Sequence, residues 1–572
     1  MSAVGFADLS HDEASASVGS TWAAARRLML AFLVTGFSAL MIGASIGPLQ
    51  ALNYAGIDLY PFLEPALKTY YQGLTIHGVL NAYVFTFFVT AGLLVYLPAR
   101  EMDVPIPLGL WGACYGTMAV GTLMLLVAMF DNSATVLWTF YPPLKGSAFF
   151  YVGMTLLAFG SVLPLPVLLV MRRRWRTLHP GMITPLVTYM SVITMLMWGV
   201  CSLGVGLELL VQLVPWSLGW IDAVNPMIAR TLFWLTGHPI VYFWLMPAYV
   251  SWYGLLPRQA GGKLASDTMA RITFVMLFVF SLPVGSHHQF ADPGFSPIWR
   301  GILTALTMSV ALPSLITAFT IGLSLEYAGR RRGGRGIFGW FTALPWGNPA
   351  VAAQVLAAIT FIVGGSTGLV NGSWQLDSIV HNTTYLPGHF HLTVGSVTAL
   401  TFMSLAFWMV PHLSGKALVS RRLALASVWL WFVGISLFAV GMLWSGLHGV
   451  PRRAWVSSLP APVYDALYGN AQLPLAVVGL GGAVLWLALL CFYSLFFASL
   501  VFGAKTEEGR EIGFAEVLGA YAGSAAPNRV AGALDHIWIM TWLVALATVA
   551  AYVPILWPFL QHANLSTGWR VW

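Results

Sequence analysis

The chain alternates between long apolar runs and short polar connections. Crossing a hydrocarbon core of ~30 Å takes about 20 residues of helix. Thirteen runs meet that length, centred near Ser38, Val84, Val120, Leu157, Leu196, Tyr242, Phe278, Ala311, Thr360, Ala399, Gly434, Leu485 and Leu546. The connections leave little room for a second folding unit. The pattern therefore predicts an all-α integral membrane protein of about thirteen transmembrane helices, with residues 21–572 forming a single domain. Residues 1–20 are a polar arm with Asp8, Asp12 and Glu13. They lack the charged, apolar and small-residue succession of a secretory signal, and are expected to be a mature cytoplasmic segment. No internal repeat of the transporter kind is evident.

Composition narrows this further. Of 572 residues, 58% are hydrophobic and 8% charged, against roughly 45–50% and 25% in soluble domains; the mean hydropathy is +0.78. Such a chain cannot cover its surface in water, but in lipid its backbone polar groups are satisfied within helices. The formal charge of +7 follows from topology. With the N-terminus inside, 20 of the 27 Lys and Arg residues fall on cytoplasmic segments and 7 on outer ones, the asymmetry that orients membrane helices. No nucleic-acid partner is needed to explain the charge. Cys114, Cys201 and Cys491 lie scattered in apolar runs, so they are expected to be packing residues and not thiolate ligands.

Polar residues within spans are costly and so are functional candidates. Six histidines qualify: His77, His238, His287, His288, His389 and His391. Any one alone is explained by a hydrogen bond between helices, but their spacings are harder to explain that way. His389 and His391 flank Phe390, and residues two apart on a helix are turned by about 200°. Their imidazoles therefore face opposite sides and suit two different cofactors. His238 and Tyr242 stand four apart on one helix face, and Pro239 between them marks a kink. His287 and His288 diverge by about 100° on a regular helix, so joint ligation needs a distortion, which Pro283 and Gly285 supply. Three imidazoles from two spans suit a copper with an open position. His77 is left to pair with one of the histidines beside Phe390. Six ligands then account for two haems and one copper ion.

The segments Gly237-His-Pro-Ile-Val-Tyr, Val284-Gly-Ser-His-His-Gln-Phe and Pro387-Gly-His-Phe-His together resemble subunit I of the haem–copper oxidases. The likeness runs along almost the whole chain and is greatest to the B family, the ba-type cytochrome c oxidases. Gln50-Ala-Leu-Asn-Tyr, Tyr141-Pro-Pro-Leu-Lys-Gly and Phe290-Ala-Asp-Pro-Gly read like that group. The resemblance implies that His77 and His391 are axial ligands of a low-spin haem b. His389 is then the ligand of a high-spin a-type haem, and His238, His287 and His288 hold the copper called CuB. It implies a covalent link between Tyr242 and His238, Phe390 between the haems, and haem propionates near Arg452, Arg453, Asp377 and His381. Where the A family has a glutamate two residues after the first copper histidine, this chain has Ile240. Tyr249, Tyr253, Ser314, Thr317 and Thr320 instead match the B family's single proton path from the cytoplasmic side. Their spacings share helix faces. Glu208 is the one glutamate well inside an apolar run, and its role is left open.

The implied activity is a proton-pumping cytochrome c oxidase, reducing O2 to water with electrons from cytochrome c or a similar small donor. Implied partners are a subunit II carrying a dinuclear copper centre, a small additional helix subunit and the lipid bilayer; the implied location is a prokaryotic plasma membrane, N-terminus cytoplasmic. Two alternatives stand beside it. A nitric oxide reductase uses iron in place of copper, but Tyr242 and Ile240 argue against it. A transporter or proton channel without cofactors explains the buried hydroxyls but not the opposed histidines.

Overall fold

A computed structural model describes residues 11–519, 529–562 and 564–571, with side chains from residue 21 onward. Eleven helices among the described residues are long and apolar enough to cross a membrane. The other two expected spans, near Tyr242 and Phe278, are present as broken helices. One runs Pro226–Gly237 and resumes as Pro239–Gly254 after His238. The other runs Asp267–Ser281 and gives way to a 3₁₀ turn, Gly285–Gln289. Pro239 lacks the N–H that would continue the first helix, and Pro283 does the same for the second. The breaks fall at the histidines.

Counting both, the spans among the described residues number thirteen in chain order. The ones that position functional residues are the second (Tyr70–Met102), fifth (Leu186–Leu218), eighth (Pro297–Arg331), ninth (Pro349–Gly372), tenth (Tyr385–Ser414) and thirteenth (Ile537–Gln561), together with the broken sixth and seventh. The second, fifth and tenth each contain a stretch of π-helix: Leu80–Phe85, Glu208–Leu213 and His391–Thr398. Such wide turns cost hydrogen-bond quality and gather at functional sites. The first helix begins at His11 and its span at Thr21, so the second half of the polar arm extends that helix. Residues 1–10 lie outside the described residues.

Small residues set the closest helix crossings, as expected where lipid supplies no hydrophobic drive between helices. The eleventh span (Arg421–Leu447) and the twelfth (Ala461–Phe502) meet at Gly434 and Gly441. A Cβ at Gly434 would stand 2.8 Å from the Leu485 backbone nitrogen, and one at Gly441 2.7 Å from the Pro474 carbonyl oxygen. The thirteenth span is different. Only 22% of its apolar window is buried, as in the eighth span, so most of it lies exposed on the outside of the chain.

Among the described residues, the isolated β-bridges join connections on the same side of the helices. Leu144 bridges to Trp569, Val224 to Ser566 and Thr383 to Pro451 on one side, while Leu264 bridges to Val517 and Lys416 to Lys505 on the other. This alternation matches the in–out order read from the charges. The three cysteines are free, with Cys114 and Cys201 buried, and form no thiolate cluster.

Candidate metal and cofactor centre

His238, at the break of the sixth span, meets His287 and His288 from the turn after the seventh. One ring nitrogen from each lies within 4.8 Å of the others. His238 Nδ1 is 3.2 Å from His288 Nε2, and the ring centroids of His238 and His287 are 4.3 Å apart. Joint ligation therefore becomes possible through local distortion, as the sequence requires. The second histidine of the adjacent pair is fixed by Trp234, whose ring stacks on His288 at 4.0 Å and 13°.

A hydrogen bond selects the free nitrogen of His287. His287 Nδ1 is 2.8 Å from Thr307 Oγ1, and that hydroxyl already donates to the Leu303 carbonyl. The hydroxyl therefore accepts from the ring, His287 carries its proton on Nδ1, and its Nε2 lone pair is left for a metal. A partner that fixes the tautomer is usual for ligating histidines. His238 Nε2 is buried with no hydrogen bond, on a ring 5.2 Å from that of Tyr242. Thr307, on the eighth span, has no motif around it that would mark it in the sequence.

His77 and His391 form a second arrangement. Their centroids are 6.2 Å apart and their planes within 15°. A metal-bound imidazole nitrogen sits about 2.0–2.1 Å from the metal, and a ring nitrogen roughly 1.1 Å from its centroid. Two such imidazoles on opposite sides of one metal would have centroids about 6.2 Å apart, which is the spacing found. His77 donates Nδ1–H to the Gly43 carbonyl at 2.8 Å and His391 to the Pro387 carbonyl at 2.7 Å. Both Nε2 lone pairs are thus available. The two rings line one cavity that also meets Tyr54, Phe438, Arg452 and Arg453. A Cβ at Gly47 would stand 3.1 Å from His77 Cε1, so the small residue leaves the ring its room.

His389 is not in that cavity. It donates Nδ1–H to the Gly364 carbonyl at 2.9 Å, and a Cβ at Gly368 would come within 2.8 Å of its Cε1. The two histidines beside Phe390 therefore serve different sides of the tenth span, as their spacing predicts. The α-helical turn Tyr385–Phe390 changes to π-helix at His391, which the sequence did not foretell. Phe390 packs against Trp138 at 6.0 Å and Trp244 at 5.7 Å.

The expected propionate residues gather at one end of the helices, in the connections before the tenth and after the eleventh span. Asp377 Oδ2 pairs with His381 Nδ1 at 2.9 Å. Arg452 donates from Nη2 to Asn382 Oδ1 at 2.9 Å, and its backbone N–H to the Asn382 carbonyl. Burial and the neighbouring Arg453 guanidinium push Arg452 down to about 9. Two adjacent guanidiniums with no ion pair among the described residues favour an anionic ligand, since arginine keeps its proton and recruits a counter-charge.

Below the three histidines, Tyr242, Tyr249 and Tyr253 follow one face of Pro239–Gly254. Tyr253 Oη donates to Thr317 Oγ1 at 3.0 Å and reaches Thr273 Oγ1 at 3.4 Å. Thr320 lies beside the same phenol, and Ser314 beside that of Tyr249. The five expected hydroxyls thus come together, with Thr273 a sixth that the sequence did not single out. Glu208 is fully buried in its π-turn, and neither carboxyl oxygen has a hydrogen bond. Ile240 is buried two residues beyond His238.

A family model described as Cytochrome C and Quinol oxidase polypeptide I matches residues 27–485. Cytochrome c oxidase subunit 1 of Thermus thermophilus is 48% identical over 554 residues, which are 96% of this chain and 97% of that one. The Bacillus subtilis cytochrome c oxidase subunit 1 is 25% identical over 418 residues, covering 68% of this chain and 62% of that one. A solved haem–copper terminal oxidase dimer has a chain that superposes with a TM-score of 0.89 at 33% identity, over 96% of this chain and 95% of its own. The chain with six opposed and clustered imidazoles in thirteen spans belongs to the cytochrome c and quinol oxidase subunit I family.

Proposed function

We propose that this chain is the oxygen-reducing subunit of a haem–copper terminal oxidase, taking electrons from cytochrome c or a similar small donor and coupling O2 reduction to proton translocation. The observation that carries this is the joint geometry of two imidazole sets: three converging donors at His238, His287 and His288, and an opposed pair at His77 and His391. His77 and His391 are assigned to a low-spin haem b, His389 to a high-spin a-type haem, and the three-histidine cluster to copper. When bound, these groups supply electron storage and the metal pair that takes oxygen. The residues of the chain ligate, orient and deliver protons.

Thr307 holds His287 with its lone pair inward, and Trp234 holds the plane of His288. Tyr242, four residues from His238, supplies a proton and an electron at the point of O2 cleavage. Its link to His238 would form a C–N bond from the unbonded Nε2 to a ring carbon of Tyr242, breaking the N–H and C–H bonds there, with two protons released and two electrons passing to O2. Tyr253, Thr317, Thr320, Ser314 and Tyr249 pass protons upward from the inner side, by hydroxyl rotation and through ordered water. Buried Ile240 offers no second proton-carrying group beside the centre. Arg452 and Arg453 with Asp377 and His381 hold the propionates on the outer side.

A subunit II bearing a dinuclear copper centre would deliver electrons at the outer face, and a small helix subunit would complete the assembly. The chain is a multi-pass membrane protein. We place it in a prokaryotic plasma membrane as one transmembrane domain, its N-terminal arm in the cytoplasm. Metal and haem analysis of the purified protein, with oxygen consumption, tests the whole assignment. Two haems and one copper per chain with O2 turnover are expected; iron in place of copper, or no haem spectrum, would overturn it.

A further inference from the structure

We propose that Tyr552 is a positioning residue for the three-histidine centre, its hydroxyl joining the two backbone segments that carry His238 and His287–His288. The inference rests on the assignment of that centre to copper. Tyr552 lies on the thirteenth span, beyond residues 27–485 that match the family model. That span touches the rest of the protein through one narrow stripe containing Val544, Thr548, Tyr552 and Ile555, spaced as one helix face. Thr548 satisfies its own hydroxyl on the Val544 carbonyl. Tyr552 alone carries a polar group from the stripe into the neighbouring spans.

The hydroxyl arrives where the two broken spans meet. It donates to the Trp234 carbonyl at 3.5 Å, the same carbonyl that accepts the backbone N–H of His238 at 3.4 Å. It also abuts Gly285 and Ser286, the first two residues of the turn that carries His287 and His288. A Cβ at Gly285 would collide with both the Trp234 carbonyl and the Tyr552 hydroxyl, so glycine is what lets three elements converge. His238 Nδ1 and His288 Nε2 are 3.2 Å apart, and that separation depends on how this junction is held. Trp234 transmits any shift directly, because its ring stacks on His288. A helix mostly exposed on the surface of the chain thereby reaches the centre through one oxygen atom.

Tyr552→Phe in the assembled oxidase keeps the ring and removes the oxygen. Copper retention is read as the copper-to-haem ratio after dialysis against a chelator. The infrared band of carbon monoxide bound at the reduced centre reports its geometry. About tenfold weaker retention is expected, the low end for a partner behind the ligands because the bond is long and neutral, with a shifted or broadened band and an unchanged low-spin haem spectrum. Leu546→Ala, on the lipid side of the same span (64% exposed), should match the parent. Parent-like copper retention and an unchanged band in Tyr552→Phe would overturn the inference. So would equal effects from Leu546→Ala, which would reduce the role to docking of the span. A parent without copper overturns the assignment beneath it, and is told apart because no variant then holds copper.

Discussion

The opposed pair and the three-histidine cluster are held by different means. His77 and His391 project from the second and tenth spans, which run through the site with only a widening into π-helix, and each leans on a peptide carbonyl. The cluster needs both of its spans to break. A continuous helix offers one ligand per face, because neighbouring side chains diverge by about 100°. Convergence of three imidazoles demands local unwinding at His238 and at Gly285–Gln289, and the broken ends must then be fixed from elsewhere. The pair is therefore a property of helix packing, and the cluster a property of its surroundings.

Separating the two sites is the strongest test. His287→Ala should abolish copper binding and oxygen consumption while the low-spin haem spectrum persists; His391→Ala should remove the low-spin haem while the copper remains. Metal analysis and absorption spectra would show whether either loss carries the other with it, which would end the distinction. Tyr242→Phe should lower turnover by roughly 10²–10⁴-fold, the scale of a lost proton donor, with both haems and copper bound; full activity on an oxygen electrode would refute its role. Thr307→Val keeps the shape but removes the acceptor for His287 Nδ1–H. Copper affinity should fall about 10–100-fold, and a competition titration showing no change would mean that the cluster does not rely on side-chain support. Thr317→Val, below the cluster, should leave the metals untouched and slow turnover by up to about tenfold, the equivalent of one neutral hydrogen bond.

The same contrast explains what the sequence revealed. The spans and the places of the six histidines were legible because each depends on local spacing: apolar length and the 100° step between helical neighbours. His389 and His391 could be assigned to opposite sides from that step alone. The two spans that fail as continuous helices are the ones whose prolines gave warning of a break. Thr307, Trp234, Thr273 and Tyr552 were not legible, because their roles depend on residues far away in the chain. Thr307 lies 20 positions from His287, and Tyr552 lies 318 from Trp234. The π-turn at His391 was hidden for a related reason: its widened backbone carries no composition of its own.

The carbonyl acceptors behind His77, His389 and His391 also bear on mutational tolerance. Every amino acid carries a backbone carbonyl, so no single substitution at Gly43, Gly364 or Pro387 can delete the acceptor itself; it can only displace it by crowding. His287 depends on a hydroxyl, and threonine becomes isoleucine through a single base change. Inherited variation should therefore spare the supports of His77, His389 and His391 and strike the three-histidine cluster through Thr307, where loss of one oxygen atom releases an imidazole that remains present.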